Sequence, residues 1–536
     1  MNMKTVPELY LGFGDAENYR RSENRELFNR IFIRTPTLDK LCEPGTCFLI
    51  GEKGTGKTAY AVFLANNDYK NTIASLRYIR ETEYQKFVSM KQSKQLSLSD
   101  YTSIWKVILY LLLAQQIRER EKKLPILGDP VKFGALGKAV DEYYKAAFAP
   151  EIIYAIQFAE EAGLAAEILA KYPGISAGVS GQDKVSSSFS ESRFQTNLFY
   201  IQQRFEDALR SIKLSQNHLL LIDGIDIRPS SIPYEDYLDC VKGLANAVWS
   251  VNNDFFANIK DSKGRLRVVL LVRPDIFNSL GLQNQNSKIR DNSAVLSWLT
   301  TYTEYRDSDL FLIADRLLAC QQENELPRGM TWDYYFPYDA SYVTSEQKYR
   351  SSFISFLRYS LYRPRDILTI LLYQKQNFAE QKRNPSDVFS DSDFQNPAFT
   401  RKYSDYMLGE IKDQIAFYHT EADYGSLLKF FQYLEGHSRF DYSDFLKAFG
   451  NYKEFLKRNM KREPPFCETP DIFLQFLYDL NIICGVADTG GEPFFCWCYR
   501  ERSPSNIAPT VRTNIRYEVH YGLMKALDLG KHYDRR

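Results

Sequence analysis

Along the chain, apolar positions gather in short, nearly continuous runs separated by longer stretches of helical spacing. CFLI (47–50), TIASLRYI (72–79), LLLID (219–223) and RLRVVLLV (265–272) are such runs, each bounded by turn residues or charge. Strands buried on both faces carry this pattern, and the helices between them supply the covering layers. The alternation therefore predicts an α/β fold, a parallel sheet with helices on both faces. From 97 to 171 the spacing is helical. SLSDYTSIWKVILYLLLAQQIREREKK opens on a capping residue, Ser99 or Asp100, and is apolar nearly all round its centre, so it predicts a buried helix. DEYYKAAFAPEIIYAIQFAEEAGLAAEILAKY reads as two helices split before Pro150, and ISAGVSGQDKVSSSFSES as a hairpin turning at Gly-Gln-Asp. FQTNLFYIQQRFEDALRSIK (194–213) and PYEDYLDCVKGLANAVWSVNNDFF are further helices.

After the last of the strand runs, DLFLIADRLLACQQ and YRSSFISFLRYSLYRPRDILTILLYQKQN are helical. The polar stretch FAEQKRNPSDVFSDSDFQNP (378–397) is the best linker candidate. In TPDIFLQFLYDLNII, Thr469 is the expected N-cap and Pro470 the first helical residue. CGVADTGGEPFFCWCYRE then reads as strand, glycine turn, strand, so a helix followed by a hairpin predicts a winged-helix-like unit. GEKGTGKT (51–58) marks the α/β part as a P-loop NTPase domain, and the expected division is an N-terminal segment packing on the core (1–45), that P-loop NTPase domain (46–310) with a helical insertion at about 97–193, a helical lid (311–377) and a C-terminal winged-helix-like domain (398–536).

Composition narrows the function classes. A chain of 536 residues exceeds what one core supports. A net charge of +1 excludes a globally basic nucleic-acid coat. The 37 tyrosines and 36 phenylalanines favour large buried helices over base-stacking platforms. The longest apolar run, VILYLLLA (107–114), is too short for a membrane span, and the first residues lack a signal-peptide stretch. The eight cysteines form no CxxC pair; Cys496 and Cys498 are expected on one side of a strand, as reduced core residues. A cytoplasmic location without a membrane partner is the expectation.

GEKGTGKT (51–58) carries the chemistry. It fits G-x-x-x-x-G-K-[ST] through Gly51, Gly56, Lys57 and Thr58, between a strand and a helix. Small residues let several backbone N–H groups converge on phosphate oxygens, and the following helix adds its positive end. Gly51, Glu52, Lys53, Gly54, Thr55, Gly56, Lys57, Thr58 and Ala59 are the expected nucleotide-binding set, with ATP and Mg²⁺ as cofactors. Lys57 would meet the β- and γ-phosphates and the Thr58 hydroxyl the metal. Asp223, ending LLLID, would hold the metal from the opposite side. Many motor ATPases end this strand Asp-Glu; here Gly224 follows, and the next acid is Asp226. Asp226 either positions water or caps the loop. Arg273 ends the next strand run, where it either faces the site or pairs with Asp275 or Asp226. In YRPRDILTILL (362–372), Arg365 starts a helix and would reach the phosphates from a lid; the alternative is a solvated helix-start arginine. Arg290 and Arg306 are candidates for action across a subunit interface, with nothing local to separate them from surface arginines.

Together GEKGTGKT, LIDGID, the strand ending in VRPDIF, and YRPRDIL resemble a prokaryotic AAA-related P-loop ATPase of the STAND and KAP-like group, with affinity to origin-recognition-type ATPases. FGDAE (13–17), SAVLSW (293–298) and VHYGLMKAL (519–527) extend a likeness to poorly characterised bacterial P-loop ATPases of similar length. The resemblance implies a nucleotide-dependent switch with slow hydrolysis, in which Gly224 is expected and Asp226 takes the second acidic position. It implies a sensor role for Arg273 and for Arg365. It further implies a homo-oligomer or a separate effector protein as partner, and a role in antiphage defence or signalling. STAND proteins often carry another acid directly after the second; here Ile227 follows.

Two functions stay open: a switch acting on protein partners, and an origin-recognition-like protein gripping duplex DNA through its winged helix. FLKRNMKREPP (455–465) is basic, but the candidate recognition helix DIFLQFLYDLNII carries two aspartates and no lysine or arginine, which favours protein contacts. A third option is a nucleotide bound structurally, without turnover.

Overall fold

The computed structural model describes residues 3–79, 98–121, 134–145, 191–324, 326–339, 351–385, 387–460, 462–488, 493–513 and 515–530. The hairpin expected over ISAGVSGQDKVSSSFSES and the helix pair split before Pro150 fall largely outside them. The chain divides into two compact units: Pro36–Gly51 with Lys57–Val295, and Met1–Thr35 with Glu52–Gly56 and Leu296–Arg536.

The first unit is α/β. Its sheet holds β1 (Phe48–Ile50), β2 (Thr72–Tyr78), β3 (Asn217–Asp223), β4 (Leu266–Val272) and β5 (Ser293–Val295) in the order β2-β3-β4-β1-β5, every pairing parallel. The four apolar runs became β1 to β4; β5 is too short to leave a pattern. Leu219 to Ile222 and Val268 to Val272 are almost wholly buried, as strands covered on both faces must be. The helix Leu98–Glu121 is buried along its centre, as its all-round apolarity predicted. It reaches the sheet through Gln116, whose amide donates to Ile73 O at 3.0 Å. Trp105 donates to Cys240 O on the helix Tyr234–Ser250 at 3.2 Å. These two helices cross closely at Gly243, where a Cβ would lie 2.6 Å from that of Tyr101. The carboxamide of Asn252 bonds both backbone groups of Val268, extending the ladder on β4 before β1 begins.

The second unit is mainly helical, with an antiparallel sheet in the order β6-β9-β7-β8: β6 (Arg439–Phe440), β7 (Ile483–Asp488), β8 (Pro493–Cys496) and β9 (Arg516–Val519). Thr469 caps the helix Pro470–Asp479 by accepting from Ile472 N at 3.2 Å, and β7 and β8 follow as the expected strand pair. Its cores are aromatic: Phe311, Trp332, Phe353 and Phe356 form one cluster, and Phe430, Phe445 and Phe473 another. The ring-rich composition is thus spent on packing.

Two expectations change. The stretch 378–397 is not an open linker: the helix Pro364–Glu380 runs into it, and Phe389 and Phe394 are buried, Phe389 stacked on Phe336 at 4.7 Å. Its polar composition hid two ring anchors. Cys496 and Cys498 do not share a strand, because β8 ends at Cys496 and Cys498 opens the helix Cys498–Glu501. Both are buried free thiols.

His218 on β3 and His520 after β9 are buried, and burial pushes each imidazole down from 6.5 to about 4. The unfolded chain therefore takes up these protons near pH 6.5 while the folded chain does not until about pH 4. Stability is full above the upper value and falls through this window, by on the order of 3 kcal/mol per histidine. Thermal unfolding followed by circular dichroism from pH 7 to pH 4.5 should show a falling midpoint, and His218→Asn should flatten part of that slope.

Candidate functional site

The glycine loop begins where β1 ends. Ile50 lies level with Val272, and Gly51 N donates to Val272 O at 3.2 Å. Gly54 and Gly56 take φ of +85° and +94°, backbone that side chains disfavour. The helix Lys57–Asn66 follows, with Ala59 in its first turn.

In the α/β unit, Lys57, Thr58, Asp223 and Asp226 come together. Thr58 Oγ1 donates to Asp223 Oδ2 at 2.6 Å across 165 residues of sequence. Lys57 Nζ donates to Gly51 O at 2.9 Å and lies 3.3 Å from Asp226 Oδ2. The other oxygen of Asp226 is buried without a hydrogen-bond partner among the described residues. Burial raises the pKa of the Asp223 carboxyl, and the neighbouring Asp226 adds to that shift. The Thr58 hydroxyl, Lys57 and the Gly224 N–H oppose it.

The turn between the two acids is sterically constrained. Gly224 has φ +95°, and a Cβ there would lie 2.7 Å from Ile79 O. Ile79 N in turn donates to Asp223 O at 2.9 Å, so the obstructing backbone is tied to the strand end. No side chain fits directly after Asp223, and the second acid is displaced to Asp226. Tyr237, fully buried, then holds the turn by donating to Ile225 O at 2.8 Å and Ile227 O at 3.1 Å.

Arg273 forms a two-point pair with Asp275, Nε to Oδ1 at 3.0 Å and Nη2 to Oδ2 at 2.6 Å, which is the ion-pair alternative for this residue. Arg290 is exposed and paired with Asp291.

In the second unit, Glu52 pairs with Arg502, and Lys53 lies 3.3 Å from Glu410 and 2.5 Å from Asp413. Arg365 Nη1 is 3.5 Å from Glu410 and its Nε donates to Gly14 O, while its backbone N donates to Gly54 O at 3.3 Å. Its neighbour Arg363 is the buried one: Nε and Nη2 bond Asp366 at 2.8 and 2.7 Å, and Nη1 donates to Lys53 O at 2.9 Å. Arg306 pairs with Asp333 and stacks on Phe311. Sequence reading missed Tyr237, Arg363 and Arg502. Arg363 stands in the same short motif as Arg365, and spacing alone does not tell which of the two turns inward.

No group of three or more metal-ligating side chains occurs among the described residues. The Thr58 and Asp223 oxygens nonetheless suit a hard divalent cation such as Mg²⁺, which commonly takes one or two protein oxygens and completes its shell from phosphates and water. Comparison with known proteins finds no matching family model, no similar curated protein and no similar solved structure.

Gly224→Glu, which would restore the Asp-Glu order, should destabilise the chain by about 1–3 kcal/mol, because the side chain meets the Ile79 carbonyl in a left-handed conformation. A denaturant melt of this variant at wild-type stability would contradict the steric account.

Proposed function

We propose that the chain is an ATP-binding, slowly hydrolysing regulatory ATPase of STAND-like character, a nucleotide-dependent switch acting on protein partners. The observation that carries this reading is the meeting of Thr58 with Asp223 and of Lys57 with Asp226, from two sequence stretches far apart, at the carboxyl ends of parallel strands. In open parallel sheets that edge is where ligands bind. The loop 51–58 would take the triphosphate on its backbone N–H groups. Thr58 and Asp223 would hold Mg²⁺, which when bound neutralises charge on the phosphates. Lys57 must leave Asp226 to meet phosphate, and the released carboxylate of Asp226 is then available to orient water. Exchanging one ionic partner for another at each cycle suits a switch better than a motor.

The helix Pro470–Asp479 with β7 and β8 supports a winged-helix-like reading of the C-terminal part. Its Asp471 accepts from Tyr442 at 2.5 Å and its Asp479 from Gln475 at 2.8 Å, and the helix carries no cation. That favours protein over duplex DNA as the partner.

Steady-state ATP hydrolysis of the purified chain, with and without duplex DNA, tests the reading. Lys57→Ala should abolish nucleotide binding, and Asp223→Ala should remove Mg²⁺-dependent turnover while the nucleotide still binds. Asp226→Asn should lower kcat at least tenfold yet bind ATP as tightly as wild type or more tightly, since it no longer competes for Lys57. Turnover that rises strongly with DNA would instead favour an origin-recognition-like role.

A further inference from the structure

Three consecutive carbonyls of the glycine loop are each taken by a donor from far downstream in the chain. Lys53 O accepts from Arg363 Nη1 at 2.9 Å, Gly54 O from the backbone N of Arg365 at 3.3 Å, and Thr55 O from Trp298 Nε1 at 2.8 Å. A peptide plane carries its C=O and N–H on opposite sides. Fixing these three carbonyls therefore turns the N–H groups of Gly54, Thr55 and Gly56 the other way. Thr55 N–H closes the loop's own turn on Glu52 O at 3.2 Å.

The donors are themselves held. Trp298 is buried, and its surroundings restrain the ring. The Arg363 guanidinium is fixed by Asp366, which is fully buried and also accepts from Leu361 N at 2.9 Å and Tyr406 Oη at 3.1 Å. Burial alone would lower the arginine's affinity for its proton, but the Asp366 carboxylate more than offsets this, so Arg363 stays charged. A buried ion pair of this kind contributes little net stability compared with apolar packing of similar volume. Its use lies in aiming the third N–H at one carbonyl.

The geometry points to Arg363 and Trp298 as positioning residues for the phosphate-binding loop. They preset the backbone N–H groups of Gly54 and Gly56 for the anionic oxygens of a nucleoside triphosphate, and the inference rests on the ATPase reading above. The preset loop spares the nucleotide the cost of ordering it, so losing either donor weakens binding without touching the chemical step.

The test is equilibrium binding of a fluorescent ATP analogue with Mg²⁺ to the full chain, beside hydrolysis kinetics and thermal melts. Trp298→Phe keeps the ring packing and removes one donor; Arg363→Lys keeps the charge and removes the fork. Each should weaken binding about tenfold and raise KM with kcat at saturation unchanged. A purely structural role would lower the melting midpoint and leave both KM and affinity alone. Should Arg363→Lys fail to fold, Trp298→Phe carries the test by itself. Wild-type binding with folded variants unaffected overturns this inference alone. A wild-type chain that binds no nucleotide overturns the ATPase reading and this inference with it.

Discussion

The hydrogen bond from Ile79 N to Asp223 O carries the β2–β3 ladder one residue past its regular end, and the arrangement of the acidic site depends on it. It brings the backbone of Ile79 against the position after Asp223, where only a glycine fits. The left-handed turn at Gly224 then carries the chain round so that Asp226, two residues further on, comes within 3.3 Å of Lys57. Tyr237 secures the turn by sharing its one hydroxyl proton between the Ile225 and Ile227 carbonyls. The glycine after Asp223 is a steric requirement of this strand pairing.

The charges at this site are mutually compensated. Lys57 is balanced by Asp226, and Asp223 is engaged by the Thr58 hydroxyl and the Gly224 N–H. Burial raises the pKa of Asp223, so a neighbouring cation is what would draw its ionised form out fully. On the proposed reading, a nucleotide with its metal enters by replacing one set of ionic partners with another. On the same reading, the resting pairs oppose each exchange, and slow turnover would follow from them.

The residues between Gly51 and Lys57 answer to different neighbours. Glu52 and Lys53 are bound through their side chains to Arg502, Glu410 and Asp413, and the next three peptide groups through their carbonyls. These are the variable positions of the motif, the ones its pattern leaves unspecified. They link the loop to Trp298 and to residues from the last third of the chain. The buried Arg363–Asp366 pair shows the same economy, in which a costly polar group is retained where orientation matters.

Continuous apolar runs determined β1 to β4 from sequence alone, because a strand covered on both faces leaves no polar alternation to confuse the pattern. That Thr58 and Asp223 belong together was legible too, since Lys57 and Thr58 stand at fixed spacing in one short glycine-rich segment and Asp223 ends an apolar strand run. The three-residue β5 and the phenylalanine anchors within 378–397 were not, being too short or too sparse to outweigh their surroundings. Which acid pairs with Lys57, which arginine of YRPRD turns inward, and that Arg273 binds Asp275 were decided by tertiary structure. Local spacing puts two candidates within reach of each site. The tertiary surroundings select between them, through a clash at one glycine or through the burial of a local ion pair whose remaining N–H reaches Lys53 O.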